Sequence, residues 1–227
     1  MRLFKRTTAL ADCVVAGNEY LAQHARRFNS NVHILPTGLV LDDYKTSAAR
    51  PNDGKTRLVW IGSAATVKYL EQLRPALEEI GRRFGNVVLR IICDSFLMLE
   101  NMTVEQHQWS LKNQAADLAA CDIGLAPLPD NRFTRGKCAY KVLQYMAAGL
   151  PTIASPVGAN RQYIADSGAG LLAQDNQQWR EKITALVRDA PSRAVMAKAA
   201  DEFVRLFDKS VIAPRLSSII KNCVGTG

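Results

Sequence analysis

The run Lys137-Cys-Ala-Tyr-Lys-Val-Leu-Gln-Tyr-Met-Ala-Ala-Gly-Leu-Pro-Thr-Ile-Ala-Ser-Pro-Val-Gly158 decides the fold. Its first half, Lys137–Ala148, carries a helical pattern. Gly149-Leu-Pro151 then turns the chain, since glycine takes turn conformations and proline cannot extend a helix. Thr152-Ile-Ala154 reads as a short strand. A helix that feeds into a strand in this way is half of a βαβ unit.

The pattern repeats outward in both directions. Just before the run, Cys121–Ala126 is a strand and Pro127–Gly136 a loop. Further upstream, Arg57–Ile61 is a strand ending at Gly62. Helical periodicity follows over Val67–Phe84, with Leu70, Leu73, Leu77 and Ile80 on one face. Asn86–Cys93 is nearly continuous in apolar residues, as expected for a parallel strand covered on both faces. Ser110–Ala120 is helical. Beyond the run come a short helix at Asn160–Asp166, a strand at Ala169–Leu172, and helix from about Asn176 to the end, broken at Pro191 and near Pro214. At the start, Asp12–Ala16 and Val32–Leu35 read as strands. Between them Asn18 is a natural N-cap for a helix to Arg27. Residues 45–56 are polar, with Pro and Gly, and read as a linker. Strand–helix alternation at this spacing predicts an α/β, Rossmann-like, doubly wound parallel sheet.

Composition narrows the class. The chain has 227 residues, 48% of them hydrophobic, enough to bury a core. No apolar run approaches the ~18 residues of a membrane span. The five cysteines, Cys13, Cys93, Cys121, Cys138 and Cys223, contain no C-x-x-C pair, which predicts reduced thiols and no disulfide framework. The three histidines, His24, His33 and His107, are too scattered for a metal site. The net charge is +8, from 29 Lys+Arg against 21 Asp+Glu. There is no basic block and no interleaved aromatic platform, which argues against nucleic acid and leaves a phosphorylated small substrate or an anionic surface.

In open α/β sheets ligands sit outside the carboxyl ends of the strands. Two loops there carry chemistry. Gly62-Ser-Ala-Ala-Thr66, followed by Lys68, offers close backbone approach, two hydroxyls and a cation. The second is Arg132-Phe-Thr-Arg135-Gly136-Lys137, with Lys141 one turn on. Cations at a helix start oppose the positive end of the helix dipole, so their presence there points to an anion between them.

The segment from Lys137 to Gly158 resembles the donor-binding signature of group 1 glycosyltransferases, the retaining GT-B enzymes often labelled glycosyltransferase family 4. Asp12–Tyr20, Leu35–Asp43, Trp60-Ile-Gly-Ser63 and Ala120–Pro129 support the likeness in chain order. The resemblance implies metal-independent transfer of a sugar from a nucleotide-sugar, with a UDP or GDP leaving group, to an acceptor in cell-envelope polysaccharide or glycolipid synthesis. Together with the reading of the two loops, it places donor diphosphate binding at Gly62, Ser63, Thr66, Lys68, Arg135, Gly136, Lys137, Cys138, Ala139, Tyr140 and Lys141, of which Gly62, Lys68 and the Cys138–Tyr140 backbone match the family's pattern. It assigns the nucleotide ribose to Gln144, at the second of the family's two glutamate positions. The first, eight residues earlier, is Gly136, which has no carboxylate for the donor sugar. Ser63 stands where the family has Arg, and Arg135, Lys137 and Lys141 are the cations that would compensate.

The resemblance also implies a domain plan. Residues 1–36 match the last strand and helix of an N-terminal acceptor domain. Residues 37–212 match the donor domain, and 213–227 a helix that crosses back. A two-domain enzyme of this kind needs about 350–400 residues. The expected partners are therefore a nucleotide-sugar, a separate first half or a second copy docked on the exposed face, and an acceptor at the membrane surface. The expected location is the cytoplasm, peripheral at the inner face of the membrane.

Overall fold

The computed structural model describes residues 2–45 and 50–224. The expected linker at 45–56 therefore lies partly outside the described residues. An N-terminal unit holds helix α1 (Arg2–Leu10), strand β1 (Val14–Ala16), helix α2 (Glu19–Ala25) and strand β2 (Val32–Ile34). β1 and β2 pair in parallel as a sheet of their own. Asn18 caps α2 as its sequence suggested, its side chain accepting from the Leu21 N–H at 2.9 Å.

The remaining strands, β3 (Thr56–Ile61), β4 (Val87–Ile92), β5 (Thr103–His107), β6 (Ile123–Ala126), β7 (Thr152–Ala154) and β8 (Gly170–Leu172), form one parallel sheet. Their order is β5-β4-β3-β6-β7-β8. Chain direction across the sheet reverses between β3 and β6, the doubly wound arrangement whose switch point opens a crevice. Helices α3 (Val67–Glu71), α4 (Arg74–Arg83) and α9 (Asn176–Arg188) pack on one face through Leu70, Leu77, Trp179 and Ile183. Helices α5 (Gln114–Ala119), α7 (Tyr140–Ala147), α8 (Ala159–Ser167) and α10 (Ala190–Val204) cover the other through Leu118, Val142, Tyr163 and Val204. A one-turn helix α6 (Arg132–Arg135) precedes α7, and α11 (Lys209–Val224) closes the chain.

Four sequence expectations change. The single helix over Val67–Phe84 is two, because Pro75 opens α4 at a position that suits a helix start. β5 falls where no strand was expected. Its polar sequence TVEQH lies at the sheet edge, and Glu105 pairs with Arg90 on the adjacent β4 and with Arg57 on β3 beyond it. Pro214 does not end the last helix: α11 runs through it, losing one backbone bond, and crosses the expected boundary at 212/213.

The fourth change concerns the thiols. Cys13 and Cys223 are joined in a disulfide across 210 residues, with Cα atoms 6.2 Å apart. Local spacing could not reveal it, because only the folded path of α11 brings its far end back to the loop before β1. Cys93 and Cys121 are buried and free, and Cys138 is free and part-buried. Side chains of α1 and α11, among them Leu3, Phe4, Leu10 and Ile220, stand exposed. No helix among the described residues is long and apolar enough to cross a membrane.

Candidate functional site

β3 and β6 pair only at Leu58–Ile123 and Val59–Gly124, then part. Tyr145 of α7 fills the fork. Its hydroxyl accepts from the Ile61 N–H at 3.1 Å and donates to the Leu125 carbonyl at 3.0 Å, so both backbone groups stay satisfied where the ladder ends. Above this fork lies a cleft of about 430 Å3. It sits where a doubly wound sheet is expected to bind its ligand.

One wall is the entry to α7. Ala139 is left-handed, with φ 52°, an uncommon conformation for a residue with a side chain. The backbone N–H groups of Cys138, Ala139 and Tyr140 have no partner among the described residues. Lys137 and Lys141 border the same wall. Lys141 Nζ lies 3.9 Å from the centre of the Trp60 ring. That position exists because residue 62 is glycine: a Cβ there would come within 2.6 Å of Nζ and would strike the Trp60 ring. No carboxylate among the described residues pairs with Lys141. Burial, and then the nearby Lys137 charge, lower its pKa to about 7.

The opposite wall comes from loops and from α5. The Gln144 amide donates to the Tyr44 hydroxyl at 3.0 Å and to Gln114 Oε1 at 3.2 Å. The Trp109 indole donates to the same Gln114 oxygen at 3.2 Å. These bonds leave the Gln144 carbonyl oxygen without a partner among the described residues, at the edge of the cleft. Burial pushes the Tyr44 hydroxyl well above its usual range, against the opposing pull of the Gln144 hydrogen bond, so it stays protonated. Tyr44, Trp109 and Gln114 carried no signal in the sequence. They lie 100, 35 and 30 positions from Gln144, and only the fold brings them to it.

Of the residues singled out by sequence, Gly62, Thr66, Lys137, Cys138, Ala139, Tyr140, Lys141 and Gln144 line this cleft together. Ser63, Lys68, Arg135 and Gly136 do not. Ser63 and Thr66 are tied to each other, the Ser63 N–H donating to the Thr66 hydroxyl at 3.2 Å and that hydroxyl to the Ser63 carbonyl at 3.0 Å. Lys68 is exposed and stands over the outer Tyr69 ring, which Lys137 also faces. Arg135 is paired with Asp130 at 2.6 Å, five residues back. Gly136 packs on Leu21 of α2, where a Cβ would lie 3.2 Å from the leucine.

The N-terminal unit thus grips the site loop. The Asn18 amide donates to the carbonyls of Lys137 at 3.0 Å and Arg135 at 3.3 Å. Gly17 lies against the Cys138 sulfur so closely that a side chain would not fit.

Comparison with known proteins agrees with this architecture. Over 99 residues the chain is 34% identical to D-inositol 3-phosphate glycosyltransferase of Stackebrandtia nassauensis, covering 43% of this chain and 21% of that protein. Sucrose-phosphate synthase of Thermosynechococcus elongatus superposes with a TM-score of 0.82 at 20% identity, over 100% of this chain and 62% of that one. Anabaena HepE, solved with UDP-glucose, gives 0.72 at 18%, over 96% and 67%. At these identities the structural likeness is one of fold. The chain spans about a fifth of the curated relative and under two thirds of the sucrose-phosphate synthase chain. The model of the family Glycosyl transferases group 1 matches residues 55–189, which hold β3 to β8 and the cleft, and the chain belongs to that family.

Proposed function

We propose that the cleft binds a nucleoside diphosphate sugar, UDP- or GDP-linked, and that the chain supplies the donor-binding half of a glycosyltransferase. The observation that carries this is the entry to α7. Among the described residues, three backbone N–H groups without partners and two lysines without carboxylates surround one space. A helix start with free amides and uncompensated cations suits a diphosphate and little else of comparable size. Lys137 and Lys141 would hold the phosphates, with Lys68 near the entrance, and the free Gln144 oxygen would accept from a ribose hydroxyl. In transfer, the same amides and ammonium groups would stabilise the charge that develops on the departing diphosphate. The sugar would pass to its acceptor with retention at the anomeric carbon, in envelope polysaccharide or glycolipid synthesis. Family membership supports the reaction class, and the UDP-glucose complex of the fold relative HepE supports the ligand class.

Calorimetric titration with UDP-glucose and GDP-mannose tests the reading. Binding of at least one in the micromolar to millimolar range is expected, and absence of heat with both would end it. A second reading is a binding module without turnover. Gly136 favours it, since the residue offers no carboxylate to a donor sugar and its packing on Leu21 leaves little room for one. Turnover by this chain with any acceptor excludes that alternative.

A further inference from the structure

The reading of the cleft as a diphosphate site leaves one feature unexplained. An ammonium group in water is fully hydrated, and a buried one normally has a carboxylate close by. Lys141 has neither. Its Nζ rests on the Trp60 ring in the gap above Gly62. The groups that face it are Lys137 from the turn before α7 and the Cys93 thiol from the end of β4. Tyr69 of α3 lines the same cleft, with Lys68 beyond it. None of these supplies a fixed negative charge, and Lys137 opposes a positive one. The apolar surroundings and the neighbouring cation therefore favour a neutral amine in the free protein. An arriving diphosphate reverses the balance, because it brings the counter-ion that the site lacks.

We infer that the cleft takes up its anionic ligand together with a proton, which Lys141 carries. This rests on the proposed diphosphate reading and adds to it a linkage between donor binding and pH. The proton comes from solvent and joins the Lys141 amine, and no covalent bond to the ligand forms. The free-protein pKa of about 7 sets the window. Below it Lys141 is already charged and binding takes up nothing. Above it each pH unit costs up to about tenfold in affinity, until the ligand no longer supplies enough energy to protonate the amine. The device would make the site bind its donor best in neutral or slightly acidic conditions. It also distinguishes a diphosphate from an uncharged nucleoside, which has no charge to offer in return.

The test is calorimetric titration of the full chain with UDP-glucose and GDP-mannose at pH 8, in two buffers of very different ionisation enthalpy. The diphosphate of a nucleotide sugar is a diester with no group that titrates near neutrality. Any proton taken up therefore belongs to the protein. The expected result is a buffer-dependent heat equivalent to about 0.9 proton per ligand at pH 8 and less than about half a proton at pH 6.5, from a free pKa near 7. Uridine should give none at either pH. Lys141→Arg, charged at every pH, should bind the nucleotide sugar with no uptake. Lys141→Gln should bind more weakly, also with no uptake. Binding with a buffer-independent heat in the wild-type chain overturns the inference and leaves the donor site standing. So does uptake that persists in both variants. No binding of either nucleotide sugar overturns the diphosphate reading itself, and the inference with it.

Discussion

Lys141 Nζ occupies the place that a side chain on residue 62 would take, 3.9 Å from the centre of the Trp60 ring. A missing Cβ just past one strand end thus positions an amine carried by helix α7.

Gly62→Ala should therefore act at a distance from its own backbone. The new methyl would press on both Trp60 and Lys141 Nζ, and one must move. Overpacking of this kind typically destabilises by about 1–3 kcal/mol. Denaturant unfolding should show that loss. Nucleotide-sugar affinity should fall by about tenfold or more as the lysine is displaced. An alanine variant with wild-type stability and affinity would show that the gap is not needed.

Lys141 also bears on stability with a defined sign. Its folded-state pKa, about 7, lies below the ordinary lysine value of 10.5. The unfolded chain thus binds more protons between these values, and stability rises with pH across that window. Replacing the lysine by methionine removes the penalty for burying its charge. Lys141→Met should raise the unfolding midpoint at pH 6 and raise it less at pH 9. Equal shifts at both values would mean that the amine is not desolvated.

Asn18 serves two structures with one side chain, capping α2 and holding the carbonyls of Lys137 and Arg135. Asn18→Ala should cost about 1–3 kcal/mol in unfolding, from the lost cap and the released loop. It should also weaken nucleotide-sugar binding, although residue 18 lies outside the cleft. Asn18→Asp keeps the cap but cannot donate, so it should restore α2 and not the loop. If both variants bind like the wild type, the loop does not need this tether.

Gln144 donates both of its amide protons inside the protein. Gln144→Leu would leave Tyr44 and Gln114 short of one partner each, at about 1–3 kcal/mol for such buried groups. Tyr44→Phe should cost less, since it removes one hydroxyl and leaves the contact with Gln114. Affinity for uridine as well as for the nucleotide-sugar should fall in Gln144→Leu. A loss confined to the diphosphate would move Gln144 out of the ribose position.

Joining Cys13 to Cys223 closes nearly the whole chain into one loop. Reduction, or Cys223→Ser, should lower stability by about 2–5 kcal/mol through the unfolded state. Thiol titration of the denatured protein should count three free cysteines before reduction and five after. Five before reduction would show that the pair is open in solution.

Much of this architecture was legible in the chain. The apolar runs at Arg57–Ile61 and Asn86–Cys93 and the helix-to-strand passage through Gly149 and Pro151 each became elements of the parallel sheet. Of the cations read around the start of α7, Lys137 and Lys141 line the cleft, while Arg135 turns away to Asp130. What escaped the reading was long-range or reciprocal. β5 is polar because Glu105 answers Arg90 on β4 and Arg57 on β3 beyond it, a pairing invisible in one strand alone. Arg135 looked available because its partner Asp130 lies five positions upstream, where a helical face does not place it. Tyr44 and the pair Trp109–Gln114 come from two separate segments, and no spacing rule joins them to Gln144.

The bridge made by Tyr145 has a consequence for how such a site could diversify. A single phenol sets the distance between the Ile61 and Leu125 backbones, so the floor of the cleft has a gauge set by the length of one side chain. Ligands of different girth cannot be met by spreading the sheet without breaking that bridge. Adjustment is left to the walls, where Trp109 and Leu111 stand on one side and Lys137 and Lys141 on the other. The foundation is constant and the fittings are interchangeable, so new ligand preferences can arise there without re-engineering the fold.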